Sequence, residues 1–168
     1  MQDTRQNDLE DQAVAGEWPL TASFEMAPVA AAVPAARHVA ARVLAAWGRS
    51  AATDRAGLVV SELMTNAVAA TRTARLGCPV RLSLRAAGGL LLIGVADCSP
   101  LPPLLADSDF DSEAGRGLWL VEAVCGRWGW HPGEPAPMAK IVWAELETGW
   151  PGRAGAGSLA GPGVPRVS

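Results

Sequence analysis

The stretch Leu58–Thr73, LVVSELMTNAVAATRT, decides how the rest of the chain is read. It contains neither Gly nor Pro, and its apolar residues recur at helical spacing. Glu62 and Asn66 stand four apart, which on a helix puts a carboxylate and a carboxamide on one face, one turn from each other. Leu58 and Val59 continue that face upstream; Ala69, Ala70 and Thr73 continue it downstream. Burying a carboxylate and an amide among apolar neighbours is costly unless each finds a partner. From this stretch alone two readings are open. One is the solvated stripe of an ordinary helix. The other is a site where the amide holds a cation and the carboxylate handles a proton.

Thr53 or Asp54 is the expected cap of this helix. A helix is also expected upstream, with Pro34 in its first turn, running through AARHVAARVLAAW to about Trp47. Val39, Val43, Ala46 and Trp47 form its apolar stripe, and Gly48 ends it. His38, alone on that helix, reads as a solvated side chain. Before it, LTASFEM (20–26) is an expected edge strand, and residues 1–17 are an acidic arm without periodicity, expected to be disordered.

Downstream, Pro79 forbids continuation of the helix. VRLSLR (80–85) alternates cleanly and predicts a half-buried strand; Gly88-Gly89 signals a hairpin; LLLIGVAD (90–97) is a nearly continuous apolar strand. A long loop rich in Pro, Asp and Ser follows, closed by Gly115-Arg116-Gly117. LWLVEAVCGRW predicts a helix with Leu118, Val121, Cys125 and Trp128 on one stripe. A short strand at 129–131 and a last strand at 140–147, KIVWAELE, complete the pattern. On that last strand Trp143 and Ile141 lie opposite Val142 and Leu146. If helices cover the latter face, Trp143 is on the open side of the sheet, as a partner surface or beneath the N-terminal segment. Residues 149–168 are Gly/Pro-rich and expected to be a disordered tail. The sum is an α+β fold, a two-layer α/β sandwich whose mainly antiparallel mixed sheet has helices on one face.

Composition bounds the function. With 168 residues the chain forms one domain, residues 18–148, with room for a core. A net charge of −3 and a pI near 5.4 leave no electrostatic footprint for direct nucleic-acid binding. No apolar run could span a bilayer and no leader pattern opens the chain, so a cytoplasmic protein is expected. Cys78, Cys98 and Cys125, odd in number and scattered, predict neither a disulfide framework nor a zinc site.

Two further features carry chemistry. Asp97 ends an apolar strand and shares a face with Leu91, Ile93 and Val95, so it points between sheet and helices if those three do. A carboxylate there needs a donor. The exocyclic amine of a purine would supply one; a turn in which Asp97 bonds its own backbone would supply another. Gly115, Arg116 and Gly117 directly precede a helix, where exposed N–H groups and a guanidinium suit a phosphate, although such a run is also a common hinge.

In this order, SELMTNAVAAT, VADCSPLPP and GRGLWLVEAVCGRWG, closed by KIVWAEL, the chain resembles the histidine-kinase-like ATPases of the Bergerat nucleotide fold. More narrowly, it looks like the small bacterial anti-sigma-factor serine/threonine kinases, and among those the stand-alone ATP-binding regulators frequent in actinobacteria. The resemblance covers roughly Ser23 to Glu147. It implies ATP and Mg²⁺ as cofactors. Asn66 would ligate the metal, and Glu62 would be the general base toward a partner's hydroxyl. Asp97 would accept from the adenine amine, and Gly115, Arg116 and Gly117 would line the phosphate-covering loop. It implies a sigma factor or an anti-sigma antagonist as partner, with the antagonist as candidate substrate of a Ser/Thr kinase. It leaves open a homodimer and a non-catalytic interaction module with weak nucleotide binding. Two departures stand out: Ala70 where the family often has His, and Ala139-Lys140-Ile141 where it usually has Gly-Lys-Thr, so that Ile141 removes a hydroxyl from the base pocket.

Overall fold

Strands whose alternate residues are apolar pack one face and wet the other, and here they assemble into a single sheet. The computed structural model describes residues 18–75, 77–103, 116–133 and 136–149. Its strands are β1 (Leu20–Met26), β2 (Val80–Ala87), β3 (Leu90–Asp97), β4 (Arg127–Pro132) and β5 (Lys140–Glu147). They lie in the order β1-β2-β3-β5-β4, and every pairing is antiparallel. The helices are α1 (Ala32–Ala46), α2 (Thr53–Thr73) and α3 (Arg116–Val124). The expected two-layer α+β sandwich is the one observed. The acidic arm expected at 1–17, the loop at 104–115 and the tail beyond Gly149 lie outside the described residues.

One hydrophobic layer joins sheet and helices. Leu82 and Leu84 of β2, Ile93 of β3 and Ala144 of β5 meet Leu44 of α1, Val60 and Met64 of α2, and Val121 of α3. The opposite face of the sheet carries cross-strand ion pairs. Arg81 Nη2 lies 2.7 Å from Glu25 Oε1, and Arg127 Nη2 lies 2.9 Å from Glu145 Oε2. Trp143 is on that face and yet only 5% exposed. Its indole lies over Gly129, where a methyl group would come within 2.9 Å of the ring. The tryptophan is thus buried in the protein itself and offers no open apolar patch.

Three local expectations need correction. Neither Thr53 nor Asp54 caps α2: a 3₁₀ turn at Ser50–Ala52 feeds straight into it with no side-chain cap, and Asp54 sits in its first turn, where a carboxylate complements the helix dipole. The last helix stops at Val124, so Cys125 and Trp128 do not extend its stripe. Gly126 is a poor helix residue, and its N–H is claimed at 3.1 Å by the Glu145 carbonyl of the neighbouring strand. Trp128 belongs to β4.

The third correction concerns the cysteines, because Cys78 and Cys98 are joined in a disulfide. The β2–β3 register, with Arg81 opposite Ala96, brings the residues just outside the two strands to one end of the sheet. Cys125 is the free thiol, and burial pushes it up to about 11, Arg55 opposing. It stays a neutral thiol through the physiological range. Reduction of the disulfide, which closes a loop with a sequence separation of 20, is expected to lower the unfolding free energy by about 3 kcal/mol. Urea titrations of the oxidised and reduced protein check this; superimposable curves would contradict it.

Candidate functional site

The direction of α2 is fixed at its first turn. The Arg55 guanidinium donates to the Glu147 carbonyl at 2.9 Å and to the Val124 carbonyl at 3.1 Å. This holds the start of α2 beside the ends of β5 and α3. The helix then runs over β3, with which it shares most of its sheet contacts, and its last turn leads by a short loop into β2. Counted at 1.5 Å per residue from Arg55, Glu62 lies about 10 Å, Asn66 about 16 Å and Thr71 about 24 Å along the axis. From Glu147 back to Lys140 the strand covers about 23 Å. The second half of α2 therefore approaches the end of the sheet that carries Asp97 and Lys140.

The sheet-facing stripe of α2 is Ala56, Val59, Val60, Leu63, Met64, Ala67, Val68 and Thr71. Glu62 and Asn66 flank it, both half-buried, and neither side chain has a hydrogen-bond partner among the described residues. They are neither core nor fully solvated. Thr71 is different: it is fully buried, and its hydroxyl finds no partner among the described residues.

Asp97 does point between sheet and helices. It is 1% exposed, and Oδ1 accepts two hydrogen bonds. One comes from the Ser99 N–H at 2.8 Å, the backbone turn anticipated for a strand-ending aspartate. The other comes from Lys140 Nζ, also at 2.8 Å. The ammonium donates again to the Ser99 carbonyl at 3.3 Å, and the Asp97 carbonyl accepts the Ala139 N–H at 2.8 Å. Lys140 is 3% exposed. Its partnership with Asp97 follows from register, since the two residues face each other directly across β3 and β5.

This corrects the place of Ile141. By the same register Ile141 opposes Ala96 and packs with Ala96, Cys98 and Met138. It belongs to the face away from the helices, so it is Lys140, not Ile141, that stands beside the Asp97 carboxylate. Reading Ala139-Lys140-Ile141 as a string left its inward residue unidentified; the strand's alternation from Val142, buried in the helix-facing layer, carries that signal.

Arg116 and Gly117 are the first two residues of α3, while Gly115 lies outside the described residues. α3 packs against α2, the helix that carries Glu62 and Asn66. No cluster of three or more His, Cys, Asp or Glu side chains among the described residues could hold a metal ion. A cation here would rest on phosphate and water oxygens, with the Asn66 amide oxygen as a hard protein ligand, which is a coordination Mg²⁺ accepts. The acceptor capacity left on Asp97 suits an amine donor.

The sequence signature of the histidine kinase-like ATPase domain family matches residues 26–133. That span is well over half of the chain, and with the sheet and helices above it places the protein in this family. An ATPase domain of this kind suggests ATP as its ligand. The match ends before β5, so Lys140 lies beyond it. No curated protein gives a significant match. No helix among the described residues is long and apolar enough to cross a membrane.

Proposed function

We propose that this chain is a cytoplasmic Mg-ATP-binding regulator of the anti-sigma-factor serine/threonine kinase type. Its partner is a sigma factor or an anti-sigma antagonist, and a Ser or Thr hydroxyl of the antagonist is the phosphoryl acceptor. The observation that carries this reading is the half-buried Glu62–Asn66 pair, without partners among the described residues, on the helix that runs toward Asp97. Bound Mg-ATP supplies the transferable phosphoryl group. Asn66 would hold the metal through its amide oxygen. Asp97 accepts from the adenine amine. Glu62 would act as general base toward the acceptor hydroxyl, whose oxygen would replace the ADP oxygen on the transferred phosphoryl group. Gly115, Arg116 and Gly117 would line the phosphate-covering loop.

A second reading, an interaction module with weak nucleotide binding, draws on one specific feature. Asp97 already has an internal counter-ion in Lys140, so an incoming base finds a carboxylate that is partly satisfied.

Calorimetry with Mg-ATP separates the two. The first reading expects binding that weakens by roughly ten- to a hundredfold in Asn66→Ala, comparable to the loss of a metal-site interaction, with the urea midpoint little changed. Addition of the antagonist and labelled ATP then tests transfer, and Glu62→Gln is expected to abolish it while leaving ATP bound. An Asn66→Ala protein that binds Mg-ATP as tightly as the native one would defeat the metal assignment.

A further inference from the structure

The buried Asp97–Lys140 pair has hydrogen-bonding capacity left over. An ammonium group carries three N–H donors, and two are engaged, on Asp97 Oδ1 and on the Ser99 carbonyl. A carboxylate offers about four acceptor positions. The bonds that reach Asp97 from the described residues, from Ser99 and Lys140, both fall on Oδ1. Among the bonds of the described residues, one Nζ donor and the neighbouring Oδ2 acceptor are not used. The fully buried Thr71 hydroxyl, without a partner among the described residues, belongs to the α2 turn that reaches this end of the sheet. Leaving buried polar groups unmatched is costly, so this end of the layer is arranged for something polar to complete it.

A donor next to an acceptor is the complement of a ligand edge that presents an acceptor next to a donor. An aminopurine has such an edge, its exocyclic amine adjoining the ring nitrogen N1. We propose that Lys140 is a specificity-determining residue of the base site: its remaining N–H donates to the ring nitrogen while Asp97 Oδ2 accepts from the neighbouring amine. This rests on the nucleotide reading above and goes beyond it by assigning the base edge to two facing residues of β3 and β5. Lys140 would then act directly on the ligand as well as holding the carboxylate in place.

The test pairs a deletion on the ligand with one on the protein. Affinities of the full-length native protein are measured by calorimetry for Mg-ATP, for 1-deaza-ATP, which lacks the N1 acceptor, and for 7-deaza-ATP, which keeps it. Expected is 7-deaza-ATP binding as ATP does, and 1-deaza-ATP binding roughly ten- to a hundredfold more weakly, the loss of one charged hydrogen bond. In Lys140→Met, measured at a temperature where circular dichroism shows it folded, the two deaza analogues are expected to bind alike. Equal binding of ATP and 1-deaza-ATP by the native protein overturns the role of Lys140 and leaves the nucleotide reading standing. A penalty for 1-deaza-ATP that persists undiminished in Lys140→Met overturns it too. Absence of binding for all three nucleotides removes the nucleotide reading itself, and this inference with it. The native-protein arm decides the matter even if the variant fails to fold.

Discussion

Lys140→Met is expected to lower the unfolding free energy by about 3–5 kcal/mol, the usual cost of breaking a buried ion pair from one side. The substitution keeps most of the side-chain volume and deletes the ammonium. Asp97, 1% exposed, is left with the Ser99 N–H as its remaining described donor. Water cannot replace the lost partner without opening the layer between sheet and helices. The loss is thus dominated by the uncompensated carboxylate, not by the worth of the pair. Changing both residues separates these contributions: Asp97→Leu with Lys140→Met removes the pair without stranding a charge, and its stability is expected to return close to that of the native protein. Urea titrations of the native, single and double variants under oxidising conditions, with the Cys78–Cys98 disulfide intact, are the measurement. A loss below about 1 kcal/mol in Lys140→Met, the scale of an exposed pair, would mean that the carboxylate is hydrated or that the chain relaxes around it.

Ile93→Ala is the second large effect, expected at about 2–5 kcal/mol. Ile93 is fully buried at the middle of β3, flanked by Leu84 on β2 and Ala144 on β5. β3 is the strand on which α2 chiefly rests. Truncation removes three carbon atoms and leaves a void that flanking strands, held by their ladders, cannot readily fill. Ile93→Val, which removes one carbon, is expected to cost only about 0.5–1.5 kcal/mol. Thermal or urea unfolding of the two variants checks the graded response. Equal losses would indicate that the backbone, not the cavity, sets the cost. Because the same packing spaces Glu62 and Asn66 from the Asp97 end of the sheet, Ile93→Ala is a useful control for site variants: it perturbs stability without touching a candidate ligand-binding group.

The fold was legible where pattern is local. β3 and β5 begin and end where their apolar runs do, and α2 contains the whole stretch without Gly or Pro. The helix-facing side of β2 follows from its alternation. What escaped depends on which strands pair. Lys140 against Ile141 is a question of parity, answered by the pairing of Asp97 with Lys140 across 43 residues. The Cys78–Cys98 bond depends on the hairpin, which brings the residues just outside β2 and β3 to one end of the sheet. Arg81 faces Ala96 in that hairpin, so the register continued outward sets Cys98 opposite Pro79, with Cys78 one residue further along. The end of α3 was set by competition: the stripe continues in sequence, but the Glu145 carbonyl takes the Gly126 N–H. Of the site, the Glu62–Asn66 spacing and the inward direction of Asp97 were readable. The counter-ion of Asp97 was not, because it arrives from the last strand.

The strand order also has a kinetic consequence. β1, β2 and β3 are neighbours, and the β2–β3 hairpin closes locally. β5 then inserts between β3 and β4, pairing Leu90 with Glu147, and long-range pairings of this kind come at a greater loop-closure cost. Until β5 is in place Asp97 has no ammonium beside it and must keep its water. The Asp97 end of the layer can therefore dry out only once β5 has paired with β3. A partly assembled sheet would carry the Glu62–Asn66 helix without a finished partner for it, so the two ends of the site come into being at different moments of folding.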